Sequence, residues 1–212
     1  MSTTEIVIIL SHLPIVASAI YAAVLFKKLD LKLRRFSLFL FLSAVIQITA
    51  LILALNRINN LPLLHIYVAA GFLLLAFFYK TVLDNFIHSG IIWTITIVFL
   101  AYTIVNSIFI EPFFTFNSVA LTVESVLIVI LSLSTYMVLM NDIVKEQNPS
   151  GIRSISWINS GLFIYYSSSL IIFYLTRSFP KTINNYTWIL HSFFSIIMYL
   201  CFIFGLSKRP RR

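Results

Sequence analysis

Seven apolar runs, each about as long as a bilayer is thick, alternate with short polar breaks along this chain. They cover roughly 6–26, 36–55, 61–79, 91–110, 119–140, 155–175 and 188–206. A helix needs about 20 apolar residues to cross the hydrocarbon core. The runs are rich in Ile, Leu, Phe and Val and lack the strict alternation of barrel strands. Only a helix satisfies its own backbone within one segment in hydrocarbon. The composition agrees: 60% of the 212 residues are hydrophobic and 10% are charged, against about 25% charged in a soluble domain. The expected fold is all-α, a polytopic seven-transmembrane-helix bundle, with residues 1–212 forming one membrane domain. Seven spans leave about 70 residues for tails and loops, which is too few for a soluble catalytic or nucleic-acid-binding domain. Five glycines and a single Cys201 provide neither a Gly-rich phosphate loop nor an intrachain disulfide or CxxC site.

The breaks have their own chemistry. Lys27, Lys28, Asp30, Lys32, Arg34 and Arg35 separate the first two runs, and Asn56–Pro62 reads as a tight turn. Glu111-Pro112 ends the fourth run, and Asn148-Pro149-Ser150-Gly151 is a turn signal. Pro14 is expected to kink the first helix. With seven spans, one set of loops and tails holds twelve of the 15 Lys and Arg residues, and the opposite set holds Arg57, Arg177 and Lys181. The positive-inside rule then puts the N-terminus outside and the C-terminus in the cytoplasm. The net charge of +8 is a topology signal on this reading; no nucleic-acid partner is expected, and the inner charges suit anionic lipid. Trp93, Trp157 and Trp188 stand at run ends, as an aromatic belt requires. Ala17-Ser18-Ala19 resembles a signal cleavage site, but the lysines follow the apolar run instead of preceding it, so a retained helix is expected.

Ionisable residues inside the spans are few, and such residues are functional hypotheses by default. They are His12, His65, Glu124 and His191, all early in odd-numbered spans and hence in the expected outer half. Asn106, Asn117 and Tyr67 join them there. Asn117 and Glu124 are seven residues apart, with Ser118, Ser125 and Ser132 repeating beside them, so the fifth span carries a polar stripe that must face protein or water. The candidate ligand pocket is therefore Glu124, His65, His191, Tyr67, Asn117 and Asn106. The competing reading of each is interhelical packing. His65, His191 and Glu124 are also residue types of a zinc site, although they lie on separate helices without HExxH spacing. Gln47 and Asn159 are expected near span centres or inner ends. Ser18 with Ala22, Ala19 with Ala23, and Ala69-Ala70-Gly71 give small-residue surfaces for close helix approach, and Ser167-Ser168-Ser169 reads as interhelical hydrogen bonding.

Several segments taken together carry a resemblance: Leu63-Leu64-His65-Ile66-Tyr67, Asn106-Ser107, Ile110-Glu111-Pro112, Phe116-Asn117-Ser118, Glu124-Ser125, Trp157-Ile158-Asn159-Ser160-Gly161, and Trp188 with His191. This pattern resembles a group of small bacterial seven-helix membrane proteins of unestablished function, some fused to a histidine-kinase region. It spans about residues 60–206. In that group an acidic residue follows the His-x-Tyr stretch by a turn, and here Gly71 stands near that place. The resemblance implies a sensory or signalling-associated input module, and no catalytic residues carry over from it; the expected location is the cytoplasmic membrane. No lysine lies in the last run to hold retinal. Three readings stand. The first is a sensor with an outer-half pocket that signals through a membrane or cytoplasmic partner. The second is a membrane enzyme using Glu124 with His65 and His191 around a metal. The third is a small-solute carrier. No cofactor is expected for the first or third.

Overall fold

The computed structural model describes residues 3–140, 149–178 and 184–209, with side chains over 10–140, 149–173 and 187–209. The expectations that involve Lys145, Asn148, Lys181, Arg211 and Arg212, or the side chain of Arg177, lie outside the described residues. Among the described residues the chain is helical, without strands. Helix α1 covers Thr3–Leu25 and runs through Pro14. Then come α2 (Leu31–Leu55), α3 (Leu61–Val82), α4 (Ser89–Val105), α5 (Ser118–Leu139), α6 (Pro149–Ser178) and α7 (Asn184–Ser207). A single π turn, Asn106–Ile110, extends α4.

Local chemistry sets the helix ends. The sequence places the second apolar run at Phe36, after its charges, but α2 begins five residues earlier, at Leu31. Asp30 is its N-cap and accepts the Leu33 amide at 2.9 Å, so a residue that reads as a loop charge starts a helix. The basic residues of the first turns then bond along the protein. The Arg34 guanidinium donates to Lys27 O at 3.0 Å, and that of Arg35 to Thr81 Oγ1 at 3.3 Å. At the other end of α2, the Ile58 amide reaches Leu53 O at 2.9 Å and the Arg57 amide reaches Ala54 O at 3.0 Å. This is the pattern of a Schellman cap. Arg57 occupies its left-handed position at φ 59°, and the chain reverses directly into α3, where Pro62 sits in the first turn.

Neighbouring helices pack in the order α1–α2–α3–α5–α6–α7, and α7 returns to α1; α4 lies outside this ring against α3 and α5. The bundle has two ends. We call the one at the 56–60 reversal the turn end, and the one at Lys27, Lys28, Lys32, Arg34 and Arg35 the basic end. Ring contacts of Phe36 with Phe202 at 4.8 Å and with Phe78 at 5.3 Å join α2, α7 and α3 in the core. The outer surface is apolar. Ile97, Val98, Ile104, Ile130 and Met137 are all more than half exposed, an arrangement that lipid tolerates and water penalises.

Six helices are long and apolar enough to cross a membrane, which gives the chain the character of a multi-pass membrane protein. Helix α6 is not among the six, although it has 30 residues. Its serines, tyrosines and asparagine lower its hydropathy, and these groups turn inward: Ser154, Asn159, Tyr166 and Ser169 are buried. Glycine permits this fit at two places. A Cβ on Gly161 would lie 2.9 Å from Cys201 Cβ and 3.0 Å from Met198 O, and one on Gly205 would lie 2.7 Å from Ile158 Cγ1 and 2.9 Å from Ser154 O. The Ser154 hydroxyl donates to Gly205 O at 2.7 Å across the same approach. Gly71 differs, with its nearest ring atoms at 3.7 Å, so the narrow waist expected in α3 does not depend on it.

Gly161→Ala and Gly205→Ala should each cost about 1–3 kcal/mol by overpacking the α6–α7 contact, whereas Gly71→Ala should stay within about 0.5 kcal/mol of the parent. Thermal unfolding of the three variants in detergent checks this; equal melting of all three would mean that α6 and α7 do not approach as described.

Candidate functional site

A cavity of about 420 Å³ opens between α1, α2, α3, α6 and α7 in the half nearer the turn end. That lies within the usual range for small-molecule sites, about 300–1,000 Å³. Its apolar wall includes Leu51, Leu61, Leu64, Phe116, Phe173 and Trp188. Its polar lining includes Gln47, Tyr67, Tyr165, His191, Ser195 and Tyr199. Two of the expected pocket residues are there. Tyr67 bonds Ser43 Oγ at 3.1 Å, joining α3 to α2, and the Tyr199 hydroxyl lies beside that pair. His191 Nε2 bonds the Tyr165 hydroxyl at 2.9 Å. The rings of Tyr165, Phe173 and Trp188 pack around the imidazole at 5.3–5.8 Å.

His65, Asn106 and Asn117 belong to a second construction at the turn end. Asn106 and Ser107, at the start of the π turn, are both buried. His65, 3% exposed, spans this junction. Its Nε2 meets Thr115 O at 3.1 Å and its Nδ1 meets Ser107 Oγ at 2.8 Å. A carbonyl only accepts, so Nε2 carries the hydrogen, and in the neutral ring Nδ1 accepts from the serine. Phe113 stacks on the imidazole at 5.0 Å. The Asn106 amide donates to Asn117 Oδ1 at 2.9 Å.

Glu111 completes this clasp. Its carboxylate accepts from the Ser118 hydroxyl at 2.5 Å and the Val119 amide at 2.9 Å. It thereby caps α5 from a loop position seven residues before the helix. The sequence shows Glu111 as the residue that ends the fourth run; the capping role is hidden because the sequence-local cap signals look only a few residues ahead. Among the buried side chains, Asn106 Oδ1 and Asn117 Nδ2 have no hydrogen-bond partner.

Glu124 stands apart from both. It is 1% exposed on α5, inside the α5–α6 contact, and accepts from the Tyr166 hydroxyl at 3.3 Å. It does not line the cavity. Further toward the basic end, Asn159 of α6 ties three helices together. Its Oδ1 accepts from Ser132 at 3.0 Å and Tyr79 at 3.2 Å, and its amide donates to Ser132 O at 3.0 Å. Ser132 belongs to the stripe read from the sequence, so that part of the stripe does face protein.

The six expected pocket residues are thus divided among three places: Tyr67 and His191 at the cavity, His65, Asn106 and Asn117 in the clasp, and Glu124 in the α5–α6 contact. His65, His191 and Glu124 each engage a different neighbour, and no group of three His, Cys, Asp or Glu side chains able to hold a metal occurs among the described residues. Gln47, expected near a span centre or inner end, lines the cavity from within α2. Tyr165 and Tyr199 were not singled out by sequence, because a tyrosine in an apolar run reads equally as belt, core or site. The serine run behaves differently from expectation: Ser168 bonds back to Tyr165 O at 2.8 Å, and the Ser167 hydroxyl is buried without a partner.

No protein-family model, curated protein or solved structure matches this chain. The site must be read from its own chemistry. The cavity combines an apolar wall with a few hydrogen-bonding groups on rigid helices, the usual make-up of a small-molecule site. The clasp has its polar groups engaged mainly with one another, which makes it a fastening.

Glu111→Ala should remove the α5 cap and cost about 1–2 kcal/mol. Hydrogen exchange would show it as faster exchange at Val119 and the following amides, with the α6–α7 contact unaffected. Unchanged exchange at Val119 would mean that the carboxylate does not cap the helix.

Proposed function

We propose that this chain is a seven-span sensor of the bacterial cytoplasmic membrane, with its N-terminus outside, its C-terminus in the cytoplasm, and its ligand cavity in the outer half. The observation that carries this reading is the cavity itself, placed where polar groups of five helices meet beside the Tyr165–His191 hydrogen bond. The charge bias, twelve basic residues against three, supports the orientation. The inward polar face of α6 supports counting it as a span, since Ser154, Asn159, Tyr165 and Tyr166 are received by other helices, and a helix whose polar groups face protein can cross with modest hydropathy. The resemblance over residues 60–206 to small seven-helix proteins, some fused to a histidine-kinase region, points the same way.

The route of the signal follows from two adjacent residues. Tyr165 lines the cavity and bonds His191, and Tyr166 bonds Glu124 on α5. Neighbours on one helix point about 100° apart, so α6 cannot turn to release one contact without disturbing the other. A ligand that competes for the Tyr165–His191 bond would bias α6 against α5, and a partner at the basic end would read the change. A ligand shifts such an equilibrium only by its differential affinity for the two arrangements. No observation favours the enzyme reading in the same specific way, because Glu124, His65 and His191 do not converge.

Two measurements test this. In a Cys201→Ser background, Arg57→Cys should react with a membrane-impermeant maleimide applied to intact cells, and Lys208→Cys should react only after permeabilisation; the reverse pattern would overturn the orientation. For signalling, spin labels at exposed Val126 on α5 and Ile171 on α6 should change separation when a cavity ligand saturates, and Tyr166→Phe should abolish the change while leaving binding within about twofold. Identical distances with and without bound ligand would overturn the sensor reading.

A further inference from the structure

We infer that the cavity selects an uncharged lipophile that enters with its hydrogen-bonding end first, a proposal that rests on the sensor reading above. Three observations carry it. The first is charge: no Lys, Arg, Asp or Glu lines the cavity. The titratable lining groups are tyrosines and two histidines, His12 and His191, the latter bonded to Tyr165, so an ion taken from water into such a place would lose its hydration without meeting a fixed counter-charge. Net-charged carboxylates, amines and phosphates are therefore poor occupants.

The second is the state of the polar lining. Gln47, Ser192 and Ser195 make no hydrogen bond to the described residues, although each lines the cavity and Ser192 is buried. Asn60, nearer the entrance, already donates its amide to Ala50 O at 3.1 Å. Unengaged donors and acceptors thus belong to the interior of the cavity. Buried polar groups are ordinarily paired with protein, water or ligand; Ser192 is buried and Gln47 and Ser195 are half-buried toward the cavity, so these three define where a ligand's own polar group is received.

The third is their depth. Along α7, Ser195 lies seven residues beyond Trp188, and along α2, Gln47 lies seven residues before Ala54; each interval is about 10 Å at 1.5 Å per residue. Leu51, Leu61, Phe173 and Trp188 form the wall nearer the turn end. The part of the cavity away from the turn end thus carries the unengaged polar groups, and its wall nearer the turn end is mainly apolar. A ligand that fits has its hydroxyl, carbonyl or amide at Gln47 and Ser195 and its hydrocarbon alongside Trp188. An eight-carbon chain spans that interval.

The test uses the full chain in nanodiscs, with Trp93→Phe and Trp157→Phe leaving Trp188 as the reporter at the entrance. Three probes of equal length are titrated, 8-bromooctan-1-ol, 8-bromooctanoate and 8-bromooctylammonium, since bromine quenches indole fluorescence at contact. The alcohol should quench saturably, with a Kd at least tenfold below those of both ions. Ala50→Phe, which fills the cavity, should abolish the saturable part and leave only bilayer partitioning; Ala54→Phe at the entrance serves if the first variant does not fold. In addition, 3-bromopropan-1-ol should occupy the floor without quenching Trp188, and so compete with the longer alcohol. Saturable quenching by either ion at comparable Kd, blocked by Ala50→Phe, would overturn the ligand class and leave the sensor reading standing. Quenching by 3-bromopropan-1-ol as strong as by the longer alcohol would overturn the inward orientation. If none of the probes quenches saturably, the cavity does not admit such ligands, and both the inference and the sensor reading fall.

Discussion

Hydrocarbon offers no hydrogen bonds, so a helix that carries many polar side chains can be placed only where other helices receive them. Helix α6 sets this condition for the whole bundle. Ser154 must meet Gly205, Asn159 must meet Ser132 and Tyr79, Tyr165 must meet His191, and Tyr166 must meet Glu124. Those demands put α5 and α7 on either side of α6 and bring α3 within reach. The glycines at 161 and 205 follow from the same constraint, because a serine-to-carbonyl bond of 2.7 Å between helices requires backbones close enough that a Cβ would collide. With α3, α5, α6 and α7 fixed in this way, α1 and α2 close the remaining side. Only α4, whose exposed face is almost wholly apolar, is free to lie outside on α3 and α5.

Much of this architecture is visible in the sequence, because helix length and apolarity are properties of single segments. The apolar runs predict the six helices that are apolar enough to cross, and the Asn56–Pro62 turn falls where the chain reverses. Helix ends are less legible where charge misleads. Lys32, Arg34 and Arg35 read as loop, yet Asp30 caps them into α2, since long basic side chains lie back along the protein while their helix continues. The site is less legible still, because it depends on which faces of separate helices meet. The spacing of Asn117 and Glu124 gives one stripe on α5, but not that Asn117 meets Asn106 of the π turn while Glu124 meets α6. A π turn has no signature in a single sequence, and Asn106 and Ser107 stand at the start of one.

The division into clasp and cavity has mechanical consequences. The clasp ties the start of α3 to the end of α4 and the start of α5 through His65, Asn106 and Glu111. These elements then move as a unit. On the other side of the cavity, α6 and α7 are joined to each other by the Tyr165–His191 bond and the two glycine contacts. The cavity lies between these two assemblies, where α1 and α2 also contribute walls. Such a seam is where a bundle can admit a ligand without breaking the contacts that hold each assembly together.

The strengths of the contacts along α6 indicate where it yields. Near the basic end, Asn159 makes three bonds of 3.0–3.2 Å to α5 and α3, and the glycine contacts with α7 leave no space for sliding. Nearer the turn end, among the described residues, the side-chain hydrogen bond that adds to the packing of α6 on α5 is that of Tyr166 to Glu124 at 3.3 Å, longer than the usual O–H···O range of about 2.5–3.0 Å. Hydrogen bonds between membrane helices average about 0.6 kcal/mol, whereas a tenfold preference of a ligand for one arrangement supplies about 1.4 kcal/mol. In the proposed sensor, a modestly selective ligand is therefore enough to outweigh the Tyr166 contact, and it is too weak to undo the Asn159 seam. Helix α6 would pivot about that seam, with its cavity half moving and its anchor carrying the displacement toward the basic end.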